Sequence, residues 1–165
     1  MPRPSLLALL VLVGACSADA AAEAPGPPPT APATAPPSVP ADVTDRVEAA
    51  YRRAWDVYAD AVGRLDPARL PTAFAGPALT LRRGEVADLA RRGEAIRVRV
   101  VHHLDVAMVD PGTALVTDAL DNHMVRVDRR TGRPIEPDPD DVVVRATTLR
   151  QEDGTWLVTE IAALD

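Results

Sequence analysis

Residues 86–100 read VADLARRGEAIRVRV, and the spacing of the apolar residues changes within this stretch. Up to Gly93 the apolar positions fall three or four residues apart, which is the period of one face of an α-helix. From Ile96 to Val100 every second residue is apolar and the others are arginines, which is the period of a strand with one buried face. The sequence therefore predicts helices before Gly93 and strands after it.

The first predicted helix runs from Asp42, a residue type that favours the N-cap position, to about Arg64. Apolar residues recur along this helix at spacings of three and four and form one stripe. The stripe consists of Val47, Tyr51, Ala54, Trp55, Tyr58, Val62 and Leu65. We expect this face to pack against a sheet.

Two more helices are predicted before the change of period. A short one starts at Asp66-Pro67, because proline is favoured at the first helical position, and Pro71 interrupts it. The third runs from about Pro77 to Arg92, with Gly93 at the position that commonly ends a helix.

The remainder of the chain predicts long antiparallel strands joined by turns. The predicted strands cover 96–108, 113–128, 141–152 and 155–163, and the segment between the second and third, 129–140, is a loop rich in proline and charge. Helices followed by antiparallel strands predict one α+β domain, 42–165, with the helices over one face of a curved sheet.

The last strand carries a pattern that resembles the terminal strand of NTF2-like cone folds. Its matching residues are Gly154, Trp156, Val158 and Ile161. A closer likeness is to the intermembrane-space domain of chloroplast-division proteins and its bacterial relatives. That likeness rests on the turn Gly76-Pro77-Ala78-Leu79 and on His102 or His103 before Leu104.

The resemblance spans about 43–163 and implies an NTF2-like cone with N-terminal helices packed on a curved antiparallel sheet. In the family with the closest pattern the domain grips a partner protein and catalyses nothing. The resemblance therefore implies a non-enzymatic binding or assembly module. A protein partner, a small apolar ligand and a homodimer through the open sheet face are all left open.

The amino-terminal stretch Leu6–Cys16, LLALLVLVGAC, predicts where the protein resides. Its end, Val13-Gly14-Ala15-Cys16, resembles the lipobox of bacterial lipoproteins, which implies a signal peptide over 1–15 and a lipid on the Cys16 sulfur. The ten apolar residues before Cys16 are too few for a transmembrane helix, which needs about 20. We therefore expect a lipid-anchored protein on the extracytoplasmic face of the cell membrane.

Residues 16–41 contain the lipidated cysteine and a spacer rich in proline and alanine. Proline fixes φ and lacks the N–H that helices and sheets use, and the composition provides too little apolar area to offset ordering entropy. A disordered stalk between the membrane and the domain is the prediction.

The composition restricts the classes of partner. The net charge is −6, the eighteen basic residues are all arginine, and Cys16 is the only cysteine. An acidic domain argues against nucleic acid as a partner, and a single cysteine excludes an internal disulfide.

The candidate binding residues are Tyr51, Trp55 and Tyr58, because an aromatic face over a hollow sheet can line a ligand cavity. The alternative is a small hydro-lyase or isomerase that uses an Asp–His pair for proton transfer, with His103, Asp118 and His123 as its candidate catalytic residues.

Structural and metal-binding roles are two further hypotheses for the adjacent His102 and His103. On one strand His102 would face the core and His103 would face outward, so they could not chelate one ion without a bulge. The chain has no Gly-rich phosphate loop, Gly-x-Ser-x-Gly or His-Glu-x-x-His motif. We therefore predict no metal and no cofactor.

Overall fold

The computed structural model describes residues 41–164. The predicted signal peptide, Cys16 and all but the last residue of the predicted stalk lie outside the described residues. Within the described range, no helix has both the length and the apolar character needed to cross a bilayer.

Two α-helices precede the strands: α1 (Ala41–Arg64) and α2 (Gly76–Arg92). The prediction of a third, short helix between them is wrong, because only a single 3₁₀ turn, Leu70–Thr72, forms there. The side chain of Asp66 accepts the N–H of Ala68 at 2.9 Å, and the N–H of Leu70 reaches back three residues to the carbonyl of Pro67. The short segment before α2 leaves no room for more than this turn.

Gly93 ends α2 as predicted. Its φ is 69°, and its N–H donates to the carbonyls of Leu89 and Ala90.

Seven strands follow the helices. They are β1 (Glu94–Arg97), β2 (Val100–Val101), β3 (Leu104–Asp110), β4 (Thr113–Asn122), β5 (Val125–Asp128), β6 (Asp141–Glu152) and β7 (Thr155–Ala163). The prediction of single strands over 96–108 and 113–128 is therefore wrong.

The breaks arise because β1 and β5 leave the main sheet and pair with each other. At the end of β4 the side chain of Asn122 accepts the N–H of Met124 at 3.2 Å, and the N–H of His123 donates to the carbonyl of Arg99 at 3.0 Å. These local bonds interrupt the ladder and separate β4 from β5.

The larger sheet has the order β2–β4–β6–β7, and β3 also pairs with β4; every pairing is antiparallel. Register shifts occur between β3 and β4 at Met108 and between β6 and β7 at Thr148, and such bulges bend a sheet. The two edges of this sheet differ. Backbone bonds of 2.9 Å join Val158 of β7 to Ala73 and Ala75, whereas β3 has no partner beyond β4 in the described chain.

Helices α1 and α2 cover one face of this sheet, which we call the inner face. Along β4, Val116, Asp118 and Leu120 are buried on that face. The predicted stripe of α1 is buried against it, except that Leu65, with a φ of 60°, is only half-buried at the end of the helix. The opposite face, the outer face, bears the exposed apolar side chains of Val101, Leu115 and Val142.

Candidate functional site

Asp118 is the centre of a buried polar cluster on the inner face. Its carboxylate is 0% exposed and lies in β4 between apolar neighbours on the same face. Three donors reach it: His102 Nδ1 lies 2.6 Å from Oδ2, the hydroxyl of Tyr51 lies 3.0 Å from Oδ2, and the backbone N–H of His103 lies 3.0 Å from Oδ1. We call Asp118, His102 and Tyr51 the polar cluster.

A local irregularity places these donors. His102 and His103 occupy the gap between β2 and β3, and Leu104 resumes the pairing as the register partner of Asp118. In the gap the N–H of His103 bonds to the carboxylate instead of a strand carbonyl. Tyr51 approaches from α1, so three separate segments meet at one carboxylate.

The electrostatics of the polar cluster favour an ionised Asp118. Burial alone would raise the pKa of this carboxyl, but the hydrogen bond and charge of His102, the Tyr51 hydroxyl and the N–H of His103 together hold the pKa below its ordinary value. Burial raises the pKa of Tyr51 to about 12, with Asp118 adding to the effect. Tyr51 therefore stays protonated and remains a donor at neutral pH.

The three predicted binding residues form a buried aromatic row beside this cluster. Tyr51 and Trp55 pack edge to face with centroids 6.5 Å apart, and Trp55 and Tyr58 do so at 5.8 Å. The His102 ring lies 5.2 Å from Trp55 and is tilted against it. These side chains fill the space between α1 and the sheet and leave a cavity of about 10 Å³, about the minimum for one water molecule.

Arg82 of α2 is a functional candidate that the sequence analysis missed. It is 4% exposed, its guanidinium lies 4.0 Å from the centroid of the Tyr58 ring, and its Nη1 donates to Glu85 at 2.8 Å. A signal was present, because Arg82 lies four residues from both Ala78 and Val86, which are buried on the same helix. An arginine at that spacing belongs to the inward face.

The candidate catalytic residues of the enzyme alternative are not brought together. The ring of His103 faces Asp121, with 3.4 Å between Nε2 and Oδ2. His123 Nδ1 lies 3.2 Å from Asp138, in the loop between β5 and β6. Asp118 pairs instead with His102.

A signal for the correct pair also existed. Asp118 alternates with the apolar Val116 and Leu120, which places it on the inner face, the side already expected for His102. The apolar Leu115 and Ala119 on the other face obscured that alternation.

The His102–Asp118 contact has the geometry of a proton-transfer pair. A carboxylate that holds one ring nitrogen of a histidine fixes the tautomer and leaves the other nitrogen to exchange a proton. Nε2 of His102 has no hydrogen-bond partner among the described residues, and the side chain is 10% exposed. Within residues 41–164, no three His, Cys, Asp or Glu side chains are grouped as a metal site would require.

No protein-family model and no curated protein matches this chain. Among solved structures it is similar to the intermembrane-space region of the chloroplast protein ARC6, with a TM-score of 0.57 and 20% identity, over 78% of this chain and 98% of that one. A member of the NTF2-like family from Streptomyces avermitilis has a TM-score of 0.49 and 17% identity, over 76% and 97% of the two chains. An NTF2-like protein from Shewanella oneidensis has a TM-score of 0.44 and 12% identity, over 72% and 98%.

At these identities the likeness to the ARC6 region shows the fold alone. The predicted α+β, NTF2-like fold is confirmed, with two helices packed on a curved antiparallel sheet.

Proposed function

We propose that this chain is a non-enzymatic binding or assembly module, held by a lipid on Cys16 at the extracytoplasmic face of the membrane. The observation that supports the first part is the filled interior. Ligand pockets of enzymes and carriers measure about 300–1,000 Å³, whereas the cavity that Tyr51, Trp55 and Tyr58 line together is about 10 Å³. The larger space on the other side of Tyr58, about 650 Å³, is an open surface groove. A module whose interior is occupied by its own side chains binds through its surface.

The contact surface in this proposal is the outer face. Val101 and Val142 are both register partners of Asp121, and Leu115 lies further along the same face. Exposed apolar side chains on an uncovered sheet face favour contact with another protein.

The charge of the outer face favours a different protein over a second copy of this chain. Asp105, Asp121 and Glu160 lie on this face, against the single guanidinium of Arg150. Two such faces would place carboxylates near carboxylates, and like charges across an interface cost binding energy. We therefore propose a protein partner with an apolar centre and a basic rim.

Photo-crosslinking on intact cells tests the surface. The photoreactive amino acid p-benzoylphenylalanine at position 115 should give one discrete adduct, whereas the same residue at Arg52, exposed on α1 over the inner face, should give none. Adding Val142→Asp should reduce the adduct from position 115. Equal adducts from both positions would overturn the proposed surface. An adduct of twice the chain mass would show that the partner is a second copy of this chain and would overturn the proposal of a different protein.

Metabolic labelling tests the anchor separately. With labelled palmitate, the parent protein should carry label and sediment with membranes, and Cys16→Ser should lose both properties, because the thioether is the attachment in this proposal. Equal labelling of the variant would contradict lipidation at Cys16. If the protein with p-benzoylphenylalanine at position 115 carried the palmitate label but gave no adduct, the result would contradict the proposed binding surface and leave the proposed anchor intact.

One observation favours a second candidate, a proton-transfer enzyme: the 2.6 Å contact between His102 and Asp118. Such an enzyme would exchange carbon-bound hydrogen with solvent, so a panel of β-hydroxy carbonyl compounds in deuterium oxide provides the assay. This candidate expects deuterium incorporation with the parent protein and none with His102→Gln. If every compound of the panel incorporated deuterium no faster with the parent protein than in buffer alone, the result would contradict the enzyme candidate.

A further inference from the structure

We propose that the mouth of the small inner cavity binds a monocarboxylate with a small apolar body, held by Arg82 and Arg145. This site lies on the inner face and is independent of the outer face proposed above. The inference starts from Arg82, an arginine 96% buried in a domain whose net charge is negative. Buried arginines are normally paired and fully hydrogen-bonded, because an unpaired buried charge is costly.

The pairing of Arg82 is incomplete. Nη1 donates to Glu85, whose side chain is about one-third exposed, while the buried Nε has no acceptor among the described residues. The guanidinium packs against Tyr58 on one side and lies 5.9 Å from the centroid of Phe74. Arg82 also lines the cavity, which admits one atom of about the size of an oxygen. An acceptor oxygen of a ligand that entered this cavity would lie beside the Arg82 guanidinium, whose Nε–H lacks an acceptor among the described residues.

Arg145 provides a second cation at the rim. Thr147 and Ile161 are register partners that line the cavity, and Arg145 and Ala163 form the next pair on the same face. Successive pairs on one face lie about 7 Å apart, so Arg145 lies one pair beyond the residues that line the cavity. Its guanidinium carbon lies 5.6 Å from the centroid of Trp55, and it forms no salt bridge with any described residue.

The surroundings select the ligand class. Guanidinium groups bind carboxylates and phosphates through paired N–H donors. Ile161, Phe74 and Trp55 make most of the lining apolar, which disfavours a fully hydrated inorganic anion and favours a carboxylate with an aliphatic body. One carboxylate oxygen enters the cavity towards Arg82, and the body remains at the mouth beside Arg145.

Titration of the intact protein with isobutyrate, followed by NMR of the arginine Nε–H resonances at constant ionic strength, tests the site. We expect saturable binding that shifts the Nε–H resonance of Arg82. Isobutyramide, which has the same shape without the charge, should not bind. Inorganic phosphate should bind at least about tenfold more weakly, because it lacks the apolar body.

Matched variants assign the interaction. Arg145→Gln should weaken isobutyrate binding about tenfold or more, as for the loss of a charge-assisted contact. Arg83→Gln removes the same charge from an exposed position beside Arg82 and should leave the affinity unchanged. Arg82→Lys keeps the charge but removes the Nε–H and should abolish saturable binding. If it unfolds the domain, Arg145→Gln still decides the matter.

Three results would overturn the proposal. The first is no saturable shift with isobutyrate in the parent protein. The second is an equal loss of affinity in Arg145→Gln and Arg83→Gln, which would indicate general charge attraction. The third is equal binding of isobutyramide.

Discussion

Asp118 is a buried carboxylate whose pKa in the folded protein lies below its ordinary value. As the pH falls through about 4 the unfolded chain takes up this proton first, so the free energy of unfolding decreases from there towards the lower folded pKa. Asp118→Asn should remove this component of the pH dependence. It should also lower the stability at pH 7 by about 2–4 kcal/mol, because three donors lose a charged acceptor.

Urea unfolding of both proteins at pH 7 and at about pH 3.5 measures these effects, and the two proteins should differ less at the lower pH. Asp88→Asn, on the surface of α2, controls for the loss of one charge and should change little. Asp128 and Glu136 also have lowered pKa values, but they titrate in both proteins and cancel from the difference. An equal loss of stability with acid in the parent and in Asp118→Asn would contradict this assignment.

At the scale of residues, the sequence predicted an inward Asp–His pair with His103 as its candidate histidine, whereas His102 forms the pair in the structure. The alternation with Ile96, Val98 and Leu104 places His102 on the inner face, but it does not show the two-residue gap between β2 and β3, where the N–H of His103 bonds to Asp118. A strand period cannot reveal such a gap, because alternation continues in the letters on both sides of it. The burial of Arg82 was readable from helical spacing, but its contact with Tyr58 depends on tertiary packing.

Two glycines of α2 test the helix as an element, because the same substitution should have opposite effects. Gly93 has a φ of 69°, so Gly93→Ala should lower the free energy of unfolding by about 1–2 kcal/mol through the left-handed penalty. Gly84 lies inside α2 with open space where a Cβ would stand, so Gly84→Ala should raise it by about 0.5–1 kcal/mol. Thermal unfolding of both variants measures the two changes, and a change of the same sign in both would contradict this account of how α2 ends.

Elements with strong local signals were predictable, and those that depend on distant partners were not. The bounds of α1 and α2 follow from apolar spacing and from Gly93. The division into β4 and β5 could not be derived, because β5 leaves its neighbour to pair with β1, a contact between residues some thirty positions apart along the chain. The 3₁₀ turn before α2 depends on the distance available, which the sequence does not encode locally.

For the whole molecule, the described core suggests a domain that folds by itself. The buried residues of the main core lie between Val47 and Val158, on both helices, on the larger sheet and on the segment 70–74 between the helices. A fragment beginning at residue 41 should therefore have the same free energy of unfolding as the chain from residue 16, within about 0.3 kcal/mol, the usual effect of distant independent changes. Parallel urea titrations measure this, and a clearly lower midpoint for the fragment would show that residues before 41 contribute to the fold.

The α+β class was predictable at this scale because the change of period at Gly93 separates helices from strands along the chain. The filled interior was not predictable, because whether aromatic side chains line a hollow or occupy it depends on how closely α1 packs on the sheet, which no local pattern of the sequence encodes. The cavity beside Trp55 is small because α1 packs closely on the sheet.

The unequal edges of the larger sheet limit how far copies of this molecule could polymerise. Residues 73–75 already pair with β7 at Val158, so among the described residues the vacant edge of the larger sheet is the one that β2 and β3 form beside β4. Two molecules that joined through this edge would each use the vacant edge of the described larger sheet, and lateral growth of that sheet would stop at a pair. Extension into a fibril would first require peeling 73–75 away from β7, which places a kinetic barrier before amyloid-like growth.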